Sequence, residues 1–129
     1  MPNSDSIPYP LWEAPPRYGL PIAARIGIAG DFLPGMALEF IDRLAWRQGA
    51  ENIQSYFHDL DLVILNLESP INVKDLPPEA KAGRGQNISA PIEALEYLSS
   101  LQVSVAGIAN NHIYDYGIKG AERTIRALL

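Results

Sequence analysis

Residues 103–117 read VSVAGIANNHIYDYG. An apolar, β-branched run stops abruptly, and Asn110, Asn111, His112 and Asp115 follow within six residues. Strand interiors are buried, whereas the loops that leave them reach the surface and carry function. One imidazole, two carboxamides and one carboxylate at such a strand end form a set able to bind a metal or move a proton. The run predicts a buried strand at about 103–109.

The same grammar recurs upstream. Leu62-Val63-Ile64-Leu65 predicts a second all-apolar strand at about 62–67, ending at Asn66-Leu67-Glu68-Ser69-Pro70. Ile26-Gly27-Ile28-Ala29 predicts a buried strand at about 25–30 that ends at Gly30-Asp31. Between these two, Met36, Ala37, Phe40, Ile41 and Leu44 recur at helical spacing. Gly49 is expected to end that helix, with a further short helical piece at Ile53, Tyr56 and Phe57. A long loop passes Pro77, Pro78, Gly83 and Gly85 before Pro91 opens a helix carrying Ile92, Leu95 and Leu98. A last helix carries Ile118, Ala121, Ile125 and Leu128 on one face.

Short strands, apolar on both faces and separated by helices, are the signature of a parallel α/β sheet. Three strands leave exposed edges, and the chain stops within its last helix without a closing strand. The expectation is a βαβαβα N-terminal part of a larger α/β domain, spanning 25–129 and incomplete at its C-terminus. Residues 1–24 form a Pro-rich arm, where Pro2, Pro8, Pro10, Pro15, Pro16 and Pro21 exclude a helix or a central strand. Tyr9, Trp12 and Tyr18 suit this arm to packing on a domain surface.

Composition narrows the function. The 129 residues are 47% hydrophobic, enough for one domain with a core of its own. Fifteen acidic against 10 basic side chains give a net charge of −5, without basic runs, which argues against nucleic acid or anionic membrane as a partner. The absence of cysteine excludes disulfides, thiolate metal sites and a Cys nucleophile. Neither a transmembrane stretch nor a signal peptide is visible, so a cytoplasmic location is the default expectation.

In a parallel sheet the carboxyl ends of all strands share one edge, and ligands of open α/β sheets bind beyond it. Topology therefore gathers Asp31, Glu68 and the 110–115 cluster at one cleft. Asp31 and Glu68 supply hard anionic oxygens, Asn111 a carbonyl oxygen and His112 an imidazole. Such sets suit Mg²⁺ or Mn²⁺ and, with imidazole, Zn²⁺ or Fe²⁺. Each residue also has a plainer use. Asp31 is placed to cap the next helix, Glu68 to be a solvated loop carboxylate, and Asn110 and Asn111 to serve a turn. His112 suits a structural hydrogen bond, and capping of the helix near Ile118 is the preferred role for Asp115 over ligation. Joint placement at three successive strand ends is what favours function.

Other candidates fare worse. His58, Asp59 and Asp61 precede a strand and fall at the opposite edge, where solvation is expected. Lys81 and Arg84 sit in the long loop, where surface solvation is preferred over contact with an anionic substrate. Gly27, Gly30 and Gly35 do not have the GxGxxG spacing of a dinucleotide site, and Asp31 would repel a pyrophosphate.

Three segments, IGIAGDFLPG, DLVILNLESPI and VSVAGIANNHIYDYGIKGAERTIRALL, resemble in this order the bacterial capsule-synthesis family typified by CapA, the poly-γ-glutamate capsule protein. The intervening NISAPIEALEYLSSLQV fits the same family, and the likeness covers most of 25–129. That family is similar to calcineurin-like metallophosphoesterases, which hold two metals at strand ends of an α/β/β/α sandwich. The resemblance implies that Asp31 matches the first metal-binding aspartate and that Glu68 stands at the metal-bridging position. It implies Asn111 as a further metal ligand and His112 as the catalytic residue assisting the leaving group, with Asn66, Asn110 and Asp115 in supporting roles. Leu33 stands where the superfamily often has a histidine, and the later histidine blocks of the family have no counterpart before Leu129. The resemblance implies a divalent-metal-dependent hydrolase linked to capsule or poly-γ-glutamate synthesis, acting on a phosphoester or an anionic polymer. The alternative is a non-catalytic component that binds polymer or capsule-synthesis subunits. Family members are often cell-surface associated.

Overall fold

The computed structural model describes residues 23–34, 43–81 and 85–129. Residues 1–22 of the Pro-rich arm, the apolar helical positions 36–41 and Arg84 lie outside the described residues. The described elements run β1 (Ile26–Phe32), α1 (Arg43–Phe57), β2 (Leu62–Leu67), α2 (Ala94–Ser100), β3 (Val105–Gly107) and α3 (Gly117–Leu128). The three strands form one parallel sheet in the order β1-β2-β3. This is the expected α/β arrangement. Right-handed crossovers in a sheet of sequential order put successive connections on one face. Accordingly, α1 and α2 touch one another.

β2 anchors the sheet. Its Val63, Leu65 and Leu67 are buried, and Leu65 and Leu67 pack with Ile71, Ala90, Ala94 and Leu98. Full burial of each Leu or Ile contributes about 1.5–3 kcal/mol, so this cluster supplies the main stabilisation among the described elements. β1 departs from the expected burial on both faces. Ile26 and Ile28 pair with Leu62 and Ile64, and Ile64 pairs with Val105, so these side chains share one face. On that face Ile26 is 56% exposed and Ile28 81%. Apolar alternation carries the same signal whether or not a second layer covers it, which is why the sequence could not separate the two cases.

β1 also extends two residues past Gly30, and its register shifts between Ile28 and Asp31. β1 advances by three residues there while β2 advances by two, from Ile64 to Asn66. One extra residue flips the alternation of a strand. Without that bulge Asp31 would pair with Leu67 and turn toward the core. With it, Asp31 pairs with Asn66 on the open face.

Several helical boundaries differ from expectation. Gly49 does not end a helix: α1 runs through it to Phe57 as one element. A helical glycine costs ~1 kcal/mol but needs no break, and a helix with tertiary contacts absorbs that cost. α2 begins at Ala94, after a turn in which the Ala94 N–H bonds to the Pro91 carbonyl (3.1 Å), and Ile92 is left exposed. β3 is three residues long, with Val103 and Ile108 packed on the core beyond its ends.

The buried stripe of α3 is Gly120, Ala121 and Thr124, whereas Ile118 is 70% exposed and Ile125 is also exposed. Small residues are selected there by close approach: a Cβ at Gly120 would lie 2.8 Å from the Tyr116 Cβ and 3.6 Å from Val73 Cγ1. Thr124 Oγ1 accepts the Ile71 N–H (3.0 Å) and donates to the Gly120 carbonyl (2.9 Å). The long loop after β2 is thereby fastened. It is further tied by a bridge between Ile71 and Ala90 and by the Ala90 N–H to the Pro70 carbonyl (2.7 Å).

Candidate functional site

The carboxyl edge of the sheet carries Asp31, Asn66 and Gly107 in register across the three strands. Glu68 follows directly, its backbone N–H bonded to the Phe32 carbonyl (3.1 Å). Asn66 is the hub. Its Nδ2 donates to Asp31 Oδ1 (2.9 Å) and also to Glu68 Oε2. Carboxylates only accept, so this fixes the amide orientation and turns Oδ1 the other way. There it accepts from Asn110 Nδ2 (3.1 Å), which also donates to the Leu67 carbonyl (2.8 Å). Asn110 Oδ1 in turn accepts the His112 N–H (3.0 Å). One polar chain thus links all three strand ends.

The imidazole of His112 lies between two carboxylates. Its Nε2 is 3.8 Å from Glu68 Oε1, and its Nδ1 is 2.8 Å from Asp115 Oδ2. Asp115 is only 2% exposed. Burial pushes its carboxyl up, but Lys81, His112 and the Ile88 N–H outweigh that and hold it below the usual carboxylate range. The contacts are Lys81 Nζ to Oδ1 at 2.7 Å and Ile88 N–H to Oδ2 at 2.8 Å. Lys81 Nζ also donates to the Gln86 carbonyl (2.8 Å). The turn that presents these groups closes at Gly117, whose φ of +66° is a left-handed conformation suited to glycine.

Asp31, Asn66, Glu68, Asn110, His112 and Asp115 are therefore brought together. Asn111 is not joined to them: its side chain is exposed in the same turn, without a hydrogen bond to either carboxylate. Asp115 does not cap α3, because the N-cap position is Tyr116 and no side chain caps it. Its carboxylate is already engaged by His112 and Lys81, which outcompete a helix N-terminus. Lys81 is not a solvated loop cation, because the loop folds back onto the 111–116 turn through the Glu79 N–H to the Asp115 carbonyl (2.8 Å). No local signal marks Lys81, which meets its partner 34 positions along the chain. At the opposite edge His58 and Asp59 form an exposed pair, and Asp61 Oδ2 accepts the Arg25 N–H (2.6 Å).

The cleft holds the carboxylates of Asp31, Glu68 and Asp115 against one ammonium, that of Lys81, among the described residues. Such an excess of anionic oxygen suits a hard divalent cation in kind. The set is incomplete in number: among the described residues no group of three or more His, Asp or Glu side chains is placed to hold one ion.

Fold and edge together define a parallel α/β domain with an acidic, histidine-bearing cleft at the carboxyl ends of its strands. Comparison with known proteins gives the particular family. Residues 25–129 match the model of the bacterial capsule synthesis protein family PGA_cap, and the chain belongs to that family. It is 30% identical to the capsule biosynthesis protein CapA of Bacillus anthracis over 101 residues, which cover 78% of this chain and 25% of the relative. It is 26% identical to the PGA biosynthesis protein CapA of Bacillus subtilis over 100 residues, 74% of this chain and 25% of that relative. The aligned part thus amounts to a quarter of each curated relative's length. No helix among the described residues is long and apolar enough to cross a membrane.

Proposed function

We propose that this chain supplies part of the active site of a metal-dependent hydrolase of the phosphoesterase type, working in capsule or poly-γ-glutamate synthesis. The observation that carries this reading is the shared amide: Asp31 and Glu68 accept from one Asn66 Nδ2, with His112 Nε2 close to Glu68. In this reading Asp31 and Glu68 hold the divalent ions, whether Mn, Mg, Zn or Fe, and the exposed Asn111 side chain takes no part. When bound, the metal supplies Lewis-acid activation of water and of the scissile oxygen. Asn66 and Asn110 hold the two carboxylates and the 110–112 backbone in place. His112 Nε2, the ring atom on the cleft side, delivers a proton to the leaving group. The substrate is a phosphoester or the amide-linked anionic polymer that the relatives' names suggest.

The test is hydrolysis of a phosphomonoester by the full-length protein with Mn²⁺, beside Asp31→Ala, Glu68→Ala and His112→Ala. Loss of turnover in all three supports the reading. Turnover that none of them alters, or no turnover at all, ends it.

A second reading rests on a specific observation: no three acidic or histidine side chains converge on one ion among the described residues. In that reading the cleft is a non-catalytic binding surface for anionic polymer or capsule-synthesis subunits. It predicts that the same three substitutions change association with polymer, not turnover.

A further inference from the structure

We propose that the Asn66 amide and a divalent cation are alternatives for one place, so that Asn66 limits how tightly the carboxylate edge takes an ion. This rests on the functional reading above for the ion, though not for the hydrogen bonds. Asp31 and Asn66 are paired across β1 and β2. Glu68 follows Asn66 by two residues, the spacing that returns a side chain to the same face. The nitrogen of Asn66 stands where the two carboxylates meet, donating to Asp31 Oδ1 at 2.9 Å and to Glu68 Oε2. A divalent ion shared by two carboxylates needs an oxygen of each at about 2.0–2.6 Å. That demand falls on the oxygens the amide already holds.

Asn66 cannot serve as a ligand in this orientation. A carboxamide nitrogen only donates, so its protons face the oxygens an ion would need. The one atom of Asn66 able to ligate, Oδ1, is turned to Asn110 Nδ2 at 3.1 Å. Asn110 is held in turn by the Leu67 carbonyl at 2.8 Å and, through its Oδ1, by the His112 N–H at 3.0 Å. The inward direction of the Asn66 nitrogen is therefore fixed from outside the carboxylate pair, by a second amide. Entry of an ion breaks both bonds from Asn66 to the carboxylates, and hydrogen bonds to ionised acceptors are the stronger kind. An amide satisfies those oxygens without cancelling their charge, so a cation still gains on exchange. Asn66 thus lowers the affinity of the edge without closing it.

The experiment is calorimetric titration of the full-length protein with Mn²⁺, with Asn66→Ala and Asn110→Ala beside the parent. Asn66→Ala removes the competing donor and leaves both carboxylates, and binding is expected to tighten about tenfold, the scale of one hydrogen bond to a charged group. Asn110→Ala keeps the amide but frees it to turn away, and the expected gain is smaller, about threefold. Thermal unfolding supplies a second readout. Without added metal the midpoint of Asn66→Ala falls below that of the parent, and saturating Mn²⁺ closes the gap, because the ion takes over the bridging. An Asn66→Ala protein that folds only with Mn²⁺ supports the proposal equally. If it folds in neither condition, Asn110→Ala decides by the same sign. Equal or weaker binding in the folded variants overturns the proposal and makes Asn66 a support for the ion's ligands, whose loss weakens binding. That result leaves the hydrolase reading standing, whereas no saturable binding in parent or variants ends both.

Discussion

Replacing Asp115 by Asn tests the strongest internal claim about the site, that a buried carboxylate organises it. The carboxylate receives the Ile88 N–H and the His112 ring, each at 2.8 Å, and the Lys81 ammonium at 2.7 Å. A hydrogen bond to a charged group contributes about 1.5–3 kcal/mol, and removing one partner of a buried ion pair costs up to about 3–5 kcal/mol. The side chain of Lys81 is 25% exposed, so its ammonium regains water in the variant. The Asn carbonyl still serves one of the three donors. Those two offsets bring the expected loss to about 2 kcal/mol at neutral pH. It is read from urea unfolding followed by circular dichroism.

The pH dependence carries a definite sign. Asp115 titrates below the usual carboxylate range in the folded chain, so its contribution is present above the unfolded value of about 3.9. It fades as pH falls from there through the folded value. The parent and variant curves should therefore converge in acid. A gap under about 0.5 kcal/mol at neutral pH, the scale of an ordinary surface substitution, would refute the reasoning. So would a gap of the predicted size that does not narrow in acid.

Thr124→Val keeps shape but strands the buried Ile71 N–H, and should cost about 1–3 kcal/mol in chemical unfolding. An unmoved midpoint would show that the N–H finds another partner. Gly117→Ala forces a Cβ into a φ of +66°, with an expected loss of about 1–2 kcal/mol by the same measurement. Ile28→Thr removes an apolar side chain that is 81% exposed and should change stability by no more than about 0.5 kcal/mol. A loss of several kcal/mol would mean that this face of β1 is covered in solution.

What was legible in the sequence follows from the range of each interaction. The limits of β2 were read to the residue, because an all-apolar β-branched run bounded by polar residues is a local signal. Alternation of strands with helices likewise gave the parallel sheet and put Asp31, Glu68 and His112 at one edge. Asp31 owes its orientation to the register shift between Ile28 and Asp31, which no periodicity announces. The α3 stripe was legible in part: Ala121 is buried and Leu128 packs on the core, but Ile118 and Ile125 are exposed. Size was taken there for burial, whereas Gly120 and Thr124 are buried by close approach and by one hydrogen bond. Asp115 looked like a helix cap because capping is local. Its true partners include Lys81, which arrives from 34 residues away on a folded-back loop. The composition of that loop said only that it was not a helix.

The central claim is that the edge formed by Asp31, Asn66 and Glu68 takes a divalent cation. Calorimetric titration of the full-length protein with Mn²⁺ tests it most directly, with Asp31→Asn and Glu68→Gln alongside. The account predicts saturable binding that each substitution weakens by at least about tenfold, as loss of groups around a metal typically does. No saturable binding, or equal affinity in the parent and both variants, would contradict it.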